Sequence, residues 1–583
     1  MNISSAGKTF SLLRNLLDTT KQTLSPIEFT EKKPLLLQDS TKCFERVTPE
    51  ECGIDSIFIK NYAEALFSDK DVMLQSIIIM RHGKVVFEAS SNLQNADFPT
   101  ATFSQCKSIV ALGIGILVTT GRLKLSERVI DIFTEKASPV SKMRLAKLTV
   151  KHLLNMTSPV LFNEGEAMVT EDWLKGYLNS DIEGGFGRKF RYNSINTYIL
   201  SAIITERTGL SLSEFLANEL FSHLGITDFY WEKCPNGLEK GGWGLYIRRE
   251  DILKLGLLVM QNGVWEGKRL ISERFIEEAT KAKIAVSDEF GRYDYGYHIW
   301  CGKDRDSFLF NGVFGQDLLG LRDQDIIIAV NCGNGDTFQQ GRFFEITHEF
   351  FDRGFDEVLP KNKKGLKALR EFAVSISDKN PFPKQSFLAQ TKKSRILDDD
   401  LNAIDGKVFE FSGNNTTSTG FYPLLLQLLQ GNYSEGLLSV DFKRNKNGLI
   451  VHFNEKDETH TLNVGFIKPE ASVINSHGEF FTVYAVGCFT ENEDGIPTLR
   501  IDCDFIETPF SRCYKFYFNN QSPYAIFTET PGNDISRIAS VVTKTSAPHF
   551  EIMGSVVTKF DGDYFNFKFE KAFSPKLFMK EIE

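Results

Sequence analysis

The sequence has no paired cysteines, no histidine pair at metal-binding spacing, no basic stripe and no bilayer-length apolar run. Its nine Cys, from Cys43 to Cys513, are scattered without a C-x-x-C pair. An odd count in so long a chain argues against a disulfide framework and favours reduced thiols. The nine His include neither H-E-x-x-H nor H-x-H, so no metal site is expected. Net charge is −9, with 67 basic against 76 acidic residues and no cluster of Lys and Arg. That balance excludes a nucleic-acid partner, which needs concentrated positive charge to meet phosphates. The longest apolar run, Ile109 to Val118, is too short to span a membrane. Arg14 and Asp18 interrupt the apolar residues of the opening segment, so no secretory core is read there. The expectation is a soluble, cytoplasmic protein with no membrane partner and no cofactor.

What is present fits two or three folding units. The chain has 583 residues, 42% hydrophobic and 25% charged, with 50 Phe to fill large cores. Residues 1–45 are mixed and polar and read as an N-terminal extension. Leu74–Ala89 reads as a hairpin around Arg81-His82-Gly83-Lys84. Ser104–Thr120, closed by Gly121, reads as a buried helix. Helical periodicity returns over Thr149–Asn155, Ile195–Thr208, Leu212–His223 and Arg249–Gln261. Strand patterns follow at Tyr293–Cys301, Ser307–Phe310 and Asp325–Asn331. An early hairpin, a helical middle and late strands predict an α+β domain over 46–355, its antiparallel sheet closed by distant chain segments and flanked by helices. Residues 356–400 read as helix and linker. Beyond 401, short alternating segments such as Gly448–Asn454, Phe480–Val486, Leu499–Ile506 and Tyr514–Phe518 predict an all-β domain, barrel or sandwich, to residue 583.

The chemistry centres on Ser104-Gln105-Cys106-Lys107. Residues three apart at a helix start share a face, about 5–6 Å between Cβ atoms, so Lys107 can reach the Ser104 hydroxyl. Serine is a weak nucleophile without an adjacent base. A lysine serves as base only when its pKa falls, and lowering it by about 3 units costs on the order of 4 kcal/mol. Burial supplies such a shift. The spacing alone is weak, because Ser5-Ala6-Gly7-Lys8 repeats it, and Ser104 could be an ordinary N-cap. Against that, a first-turn lysine opposes the helix dipole, and the helix behind it is almost wholly apolar. Cys106 lies one residue round the helix and reads as packing.

The stretch TFSQCKSIVALGIGILVTTGRLKLSERVIDIF resembles the nucleophile helix of serine beta-lactamases, penicillin-binding proteins and their esterase relatives. The resemblance continues in order through LTVKHLLNMTSPV, KFRYNSINTYIL, GGWGLYIRREDILKLGLLVM and FNGVFGQDLLGLRDQDIIIAVN, and includes CGIDS and IIIMRHGKVV upstream. It covers about residues 45 to 350 and follows the class C-like branch. It implies a beta-lactamase/transpeptidase-like domain with Ser104 as nucleophile and Lys107 as base. The second motif is Tyr192-Asn193-Ser194, similar to the amide hydrolases that cleave 6-aminohexanoate dimers. By that resemblance Tyr192 shuttles protons with Lys107, and Ser194 hydrogen-bonds Lys107 or substrate.

The third motif normally begins with a cation; here it reads Phe310-Asn311-Gly312. The resemblance makes Gly312 a point of close backbone approach and places the Val313 N–H beside that of Ser104 as an oxyanion hole. Phe310 removes the usual anchor for a substrate carboxylate, so a neutral ester or small amide is favoured over beta-lactams. The expected absence of an export signal argues the same way against cell-wall substrates. His298 could line the pocket but reads as a satisfied sheet histidine. Gly184–Gly187 is too short to cradle phosphate. The expected function is acyl-enzyme hydrolysis of a small-molecule ester or amide. The alternatives are a non-catalytic binding protein on the same fold and a D-amino-acid peptidase or beta-lactamase. Oligomeric state is not legible.

Overall fold

The computed structural model describes residues 31–35, 43–91, 98–335, 338–377, 398–413, 416–492, 494–519, 522–532 and 571–582. They fall into two units. One lies within Leu37–Asp378; the other lies within Lys379–Ser536 and His549–Glu583, together with part of Gly7–Leu36. Most of the N-terminal extension, Ser5 and Lys8 included, and residues 378–397 of the linker reading lie outside the described residues.

The first unit is built on a seven-stranded antiparallel sheet. Its strands are β1 (Leu74–Arg81), β2 (Lys84–Ser90), β3 (Tyr293–Tyr295), β4 (Trp300–Gly302), β5 (Ser307–Gly312), β6 (Gln316–Leu321) and β7 (Ile326–Cys332), in the order β2-β1-β7-β6-β5-β4-β3. The predicted hairpin forms because His82 and Gly83 both take positive φ, which suits the twist of a two-residue turn. Pairing of β1 with β7, from Leu74 opposite Cys332 to Arg81 opposite Ile326, closes the sheet across more than 200 residues of sequence. Its two faces feed separate cores. Ile78, Met80, Phe308, Phe310 and Leu318 join the helices of the middle region. Ile77, Ile79, Leu309, Leu319 and Ile328 join helix α1 (Ser56–Ser68) and its neighbours.

Helix α2 (Cys106–Thr119) is buried at every position from Cys106 to Leu117. Gly115 lets it pack tightly, since a Cβ there would stand 2.6 Å from the Phe275 ring. It ends as expected, with Gly121 in the left-handed region after Thr120. Helices α3 (Ile195–Thr208) and α4 (Arg249–Met260) match their patterns. Leu212–His223 is helical as expected, passing through a π turn at Ala217–Phe221. Two expectations need correction. Tyr293–Cys301 splits into β3 and β4, because His298 turns the chain at φ +54, so His298 sits in a turn rather than a strand. Strand β6 was not anticipated; all six of its positions are buried, which erases the alternation that marks a strand.

The second unit is a closed barrel rather than a sandwich. Its strands are β8 (Val408–Ser412), β9 (Ser439–Arg444), β10 (Gly448–Asn454), β11 (Thr459–Gly465), β12 (Glu470–Ser476), β13 (Glu479–Glu491), β14 (Pro497–Phe505), β15 (Ser511–Tyr517), β16 (Tyr524–Thr530) and β17 (Lys576–Ile582). Nine run in the order β11-β10-β9-β8-β17-β16-β15-β14-β13 and close through Gly465 opposite Val486, while β12 lies beyond on β13. Alternate residues such as Phe442, Phe453, Phe505, Tyr514 and Phe527 fill the interior. The unit is not purely β: helix Leu424–Gln430 and the preceding Phe421 and Tyr422 are buried with this core. A buried ion pair, Arg512 to Glu529 at 3.0 Å, and a second, Lys32 to Glu507, belong to the same unit.

Candidate active site

Ser104 sits in the 3-10 turn Phe103–Gln105, immediately before α2. Phe103 holds φ +46 there, a conformation costly for a bulky residue. Its ring packs edge-on against Phe314 at 5.3 Å, and Phe314 is itself left-handed at φ +68. Two strained aromatics thus brace the Ser104 turn against the turn that follows β5.

Lys107 lies one helical turn further on and points back. Its Nζ donates to Ser104 Oγ at 2.7 Å and to the Gly242 carbonyl at 2.6 Å. The side chain is 1% exposed, and burial pushes its pKa down from 10.5 to about 8. The ammonium stands 5.0 Å from the Tyr192 ring centre. Burial raises the Tyr192 pKa well above its ordinary range, and a hydrogen bond with Ser104 opposes that rise. Ser104, Lys107 and Tyr192 are therefore brought together as one cluster.

Ser194 caps α3 and is buried beside them, but its backbone N–H donates to Glu164 Oε1 at 2.6 Å. Lys107 bonds the Gly242 carbonyl rather than the Ser194 hydroxyl. Gly242 packs so closely on Ser194 that a Cβ at 242 would come 2.6 Å from the Ser194 carbonyl oxygen. Gly242 and Glu164 are the residues sequence reasoning missed. The Gly241-Gly242 pair was a visible signal, since adjacent glycines mark close backbone approach. Nothing in the sequence ties Glu164 to a site 30 residues on.

Gly312 ends β5 where a Cβ would lie 2.4 Å from the Thr102 carbonyl oxygen, so only glycine brings this strand against the Ser104 turn. Val313 follows, half-buried, in the turn between β5 and β6. Outside helix and strand ladders, the backbone hydrogen bonds among the described residues include none donated by the Ser104 or Val313 N–H.

The third-motif neighbours face inward. Phe310 is fully buried on the α2 side of the sheet, 5.8 Å from Phe308. Asn311 donates to Asp317 Oδ1 at 2.6 Å and accepts from Gln339 at 3.2 Å. Arg249, bound to Asn331 at 2.7 Å, shares with Asp317 the lining of a small cavity no larger than a single water. His298 is satisfied by Thr197 at 3.0 Å, and burial with the nearby Lys107 charge lowers its pKa to about 3. Cys106 donates to the Phe103 and Gly241 carbonyls, with its thiol pushed up to about 12 by burial. It is packing, and inert. No group of three or more His, Cys, Asp or Glu among the described residues is arranged to hold a metal ion. No helix there is long and apolar enough to cross a membrane.

Comparison with known proteins bears on this geometry. Residues 74–340 match the family model described as Beta-lactamase. A 6-aminohexanoate-dimer hydrolase from Paenarthrobacter ureafaciens is 24% identical over 294 residues, covering 45% of this chain and 73% of that protein. Among solved structures, a penicillin-binding protein homologue from Caulobacter crescentus shares 15% identity at a TM-score of 0.43, covering 52% of this chain and 99% of its own. A family VIII carboxylesterase shares 17% at a TM-score of 0.40, covering 57% and 98%.

Proposed function

We propose, from the match of residues 74–340 to the Beta-lactamase family model, that this region is a serine hydrolase cleaving neutral carboxylic esters or small amides through an acyl-enzyme. The observation that carries this reading is the 2.7 Å contact between Lys107 Nζ and Ser104 Oγ, made by a lysine buried enough to hold its pKa at about 8. Neutral Lys107 takes the Ser104 proton as Oγ adds to the substrate carbonyl. The Ser104 and Val313 N–H groups receive the developing oxyanion. As the intermediate collapses, Tyr192 donates its proton to the departing alcohol or amine and regains one from Lys107. Water then adds to the acyl carbon, gives its proton to the same pair, and releases Ser104 and the acid.

The neutral substrate follows from the third motif. Phe310 presents no charge, and the Asn311 amide is occupied by Asp317 and Gln339. A substrate carboxylate would meet no cation from this strand. The test is intact-mass measurement after treatment with a serine-reactive fluorophosphonate. A single adduct on wild type, absent from Ser104→Ala and Lys107→Ala, is expected. A folded wild type that takes no adduct would move the reading to a binding protein on the same fold.

A further inference from the structure

Tyr192 is one member of an aromatic group drawn from four separate segments. Its ring stacks on Trp300 at 6.2 Å and 20°, and Phe338 meets it edge-on at 5.3 Å. Phe338 lies 4.7 Å from Phe290, which lies 5.5 Å from Phe190, and Phe190 returns to Tyr192 at 6.4 Å. Tyr192 and Trp300 are buried, whereas Phe190, Phe290 and Phe338 are only half-buried. The group is held in place. Gln339 donates from its backbone to the Phe290 carbonyl and from its side chain to Asn311, tying two of the phenylalanines to the end of β5. Gly291, at φ +113, permits this approach, since a Cβ there would stand 2.9 Å from the Gln339 backbone.

We infer that Phe190, Phe290 and Phe338 form a leaving-group subsite selecting esters of aromatic or bulky apolar alcohols and rejecting those whose alcohol carries a carboxylate. The inference rests on the acyl-enzyme reading, in which Tyr192 protonates the departing oxygen. Whatever group is attached to that oxygen therefore lies beside Tyr192 and against its aromatic neighbours. Such a wall offers stacking and edge-on contacts to a ring and hydrogen-bonds nothing. Two carboxylates lie near it. The Glu164 carboxylate acts electrostatically on both Lys107 and Tyr192, and Asp317 is buried against Asn311. Against these three rings an anionic alcohol would lose hydration that none of them replaces.

The test uses the full chain and three acetate esters, methyl, benzyl and 4-carboxybenzyl, followed by acid release. Methanol and benzyl alcohol are nearly equal in acidity, so their difference reports contact rather than leaving-group chemistry. Wild type is expected to show kcat/KM for the benzyl ester about tenfold or more above both others, the scale of one apolar pocket contact. Phe290→Ala and Phe338→Leu should each lower the benzyl-to-methyl ratio by about threefold or more. Phe338→Leu keeps most of the volume, so it reports even if the alanine variant fails to fold. A fluorophosphonate-reactive protein with a flat ester series, with an unchanged ratio in Phe338→Leu, or with a preference for the carboxylate would overturn the subsite alone. A wild type that neither takes the fluorophosphonate nor turns over any ester would overturn the acyl-enzyme reading beneath it.

Discussion

The rate at which Ser104 is acylated should titrate with Lys107. Burial lowers that lysine from 10.5 to about 8, which disfavours the ammonium by about 3 kcal/mol. At pH 7 about a tenth of the lysine is then neutral, and at pH 9 about nine tenths, whereas an unperturbed lysine at pH 7 would be neutral in about one molecule in three thousand. Fluorophosphonate labelling, followed by intact mass between pH 6 and 9.5, should rise about tenfold from pH 7 to a plateau, with its midpoint near 8. Tyr192 is pushed the other way and stays protonated across this range, so it cannot supply the titrating base. Stability follows the same group with a definite sign. Below pH 8 both folded and unfolded chains hold the proton, and the burial penalty is fully present. Between 8 and 10.5 only the unfolded chain holds it, so stability rises with pH by up to about 3 kcal/mol. A labelling rate that climbs only above pH 10, or that is flat from 6 to 9.5, would refute Lys107 as the buried base.

Three further outcomes follow from particular contacts. Gly312→Ala places a Cβ 2.4 Å from the Thr102 carbonyl oxygen; the shift should misplace the Val313 N–H and cut the acylation rate about 10²–10³-fold, measured by the same labelling. Gly242→Ala pushes against the Ser194 carbonyl oxygen at 2.6 Å and should displace the oxygen that accepts from Lys107. Losing an acceptor disfavours the ammonium, so the pH midpoint should move below 8 while the plateau falls. In the barrel, Lys32 and Glu507 are both fully buried. Lys32→Met should cost about 3–5 kcal/mol by leaving the carboxylate unpaired, and adding Glu507→Gln should recover much of it, read from denaturant unfolding of the full chain.

Local sequence chemistry made much of this fold legible. His82-Gly83 announced the first hairpin, Gly121 the end of α2, and the alternation of Gly448–Asn454 a barrel strand with those same bounds. Burial hid what was missed. Strand β6 has no exposed face and so no period. The left-handed Phe103 runs against its residue type and persists because Phe314, 5.3 Å away, supports it. At the site, the three-residue spacing of Ser104 and Lys107 needed no tertiary knowledge, because a first helical turn fixes it. The Gly242 carbonyl and Glu164 come from loops, and their placement depends on packing around Ser194 that no local pattern encodes. The aromatic group around Tyr192 gathers Phe190, Phe290, Trp300 and Phe338 from distant segments; each alone is an ordinary core candidate.

On the proposed mechanism, one physical cause gives this cluster both its acid and its base. Burial disfavours charge, so it lowers the lysine and raises the tyrosine, and near pH 9 both are neutral at rest. A neutral amine can accept the Ser104 proton while a neutral phenol can donate to the leaving group, and no ion has to be held in the pocket before substrate arrives. Glu164 acts on the two in the same direction, raising both. It therefore keeps the phenol protonated but also favours the ammonium, which opposes the base. Its carboxylate accepts the Ser194 N–H at 2.6 Å, which fixes it where it acts on both groups.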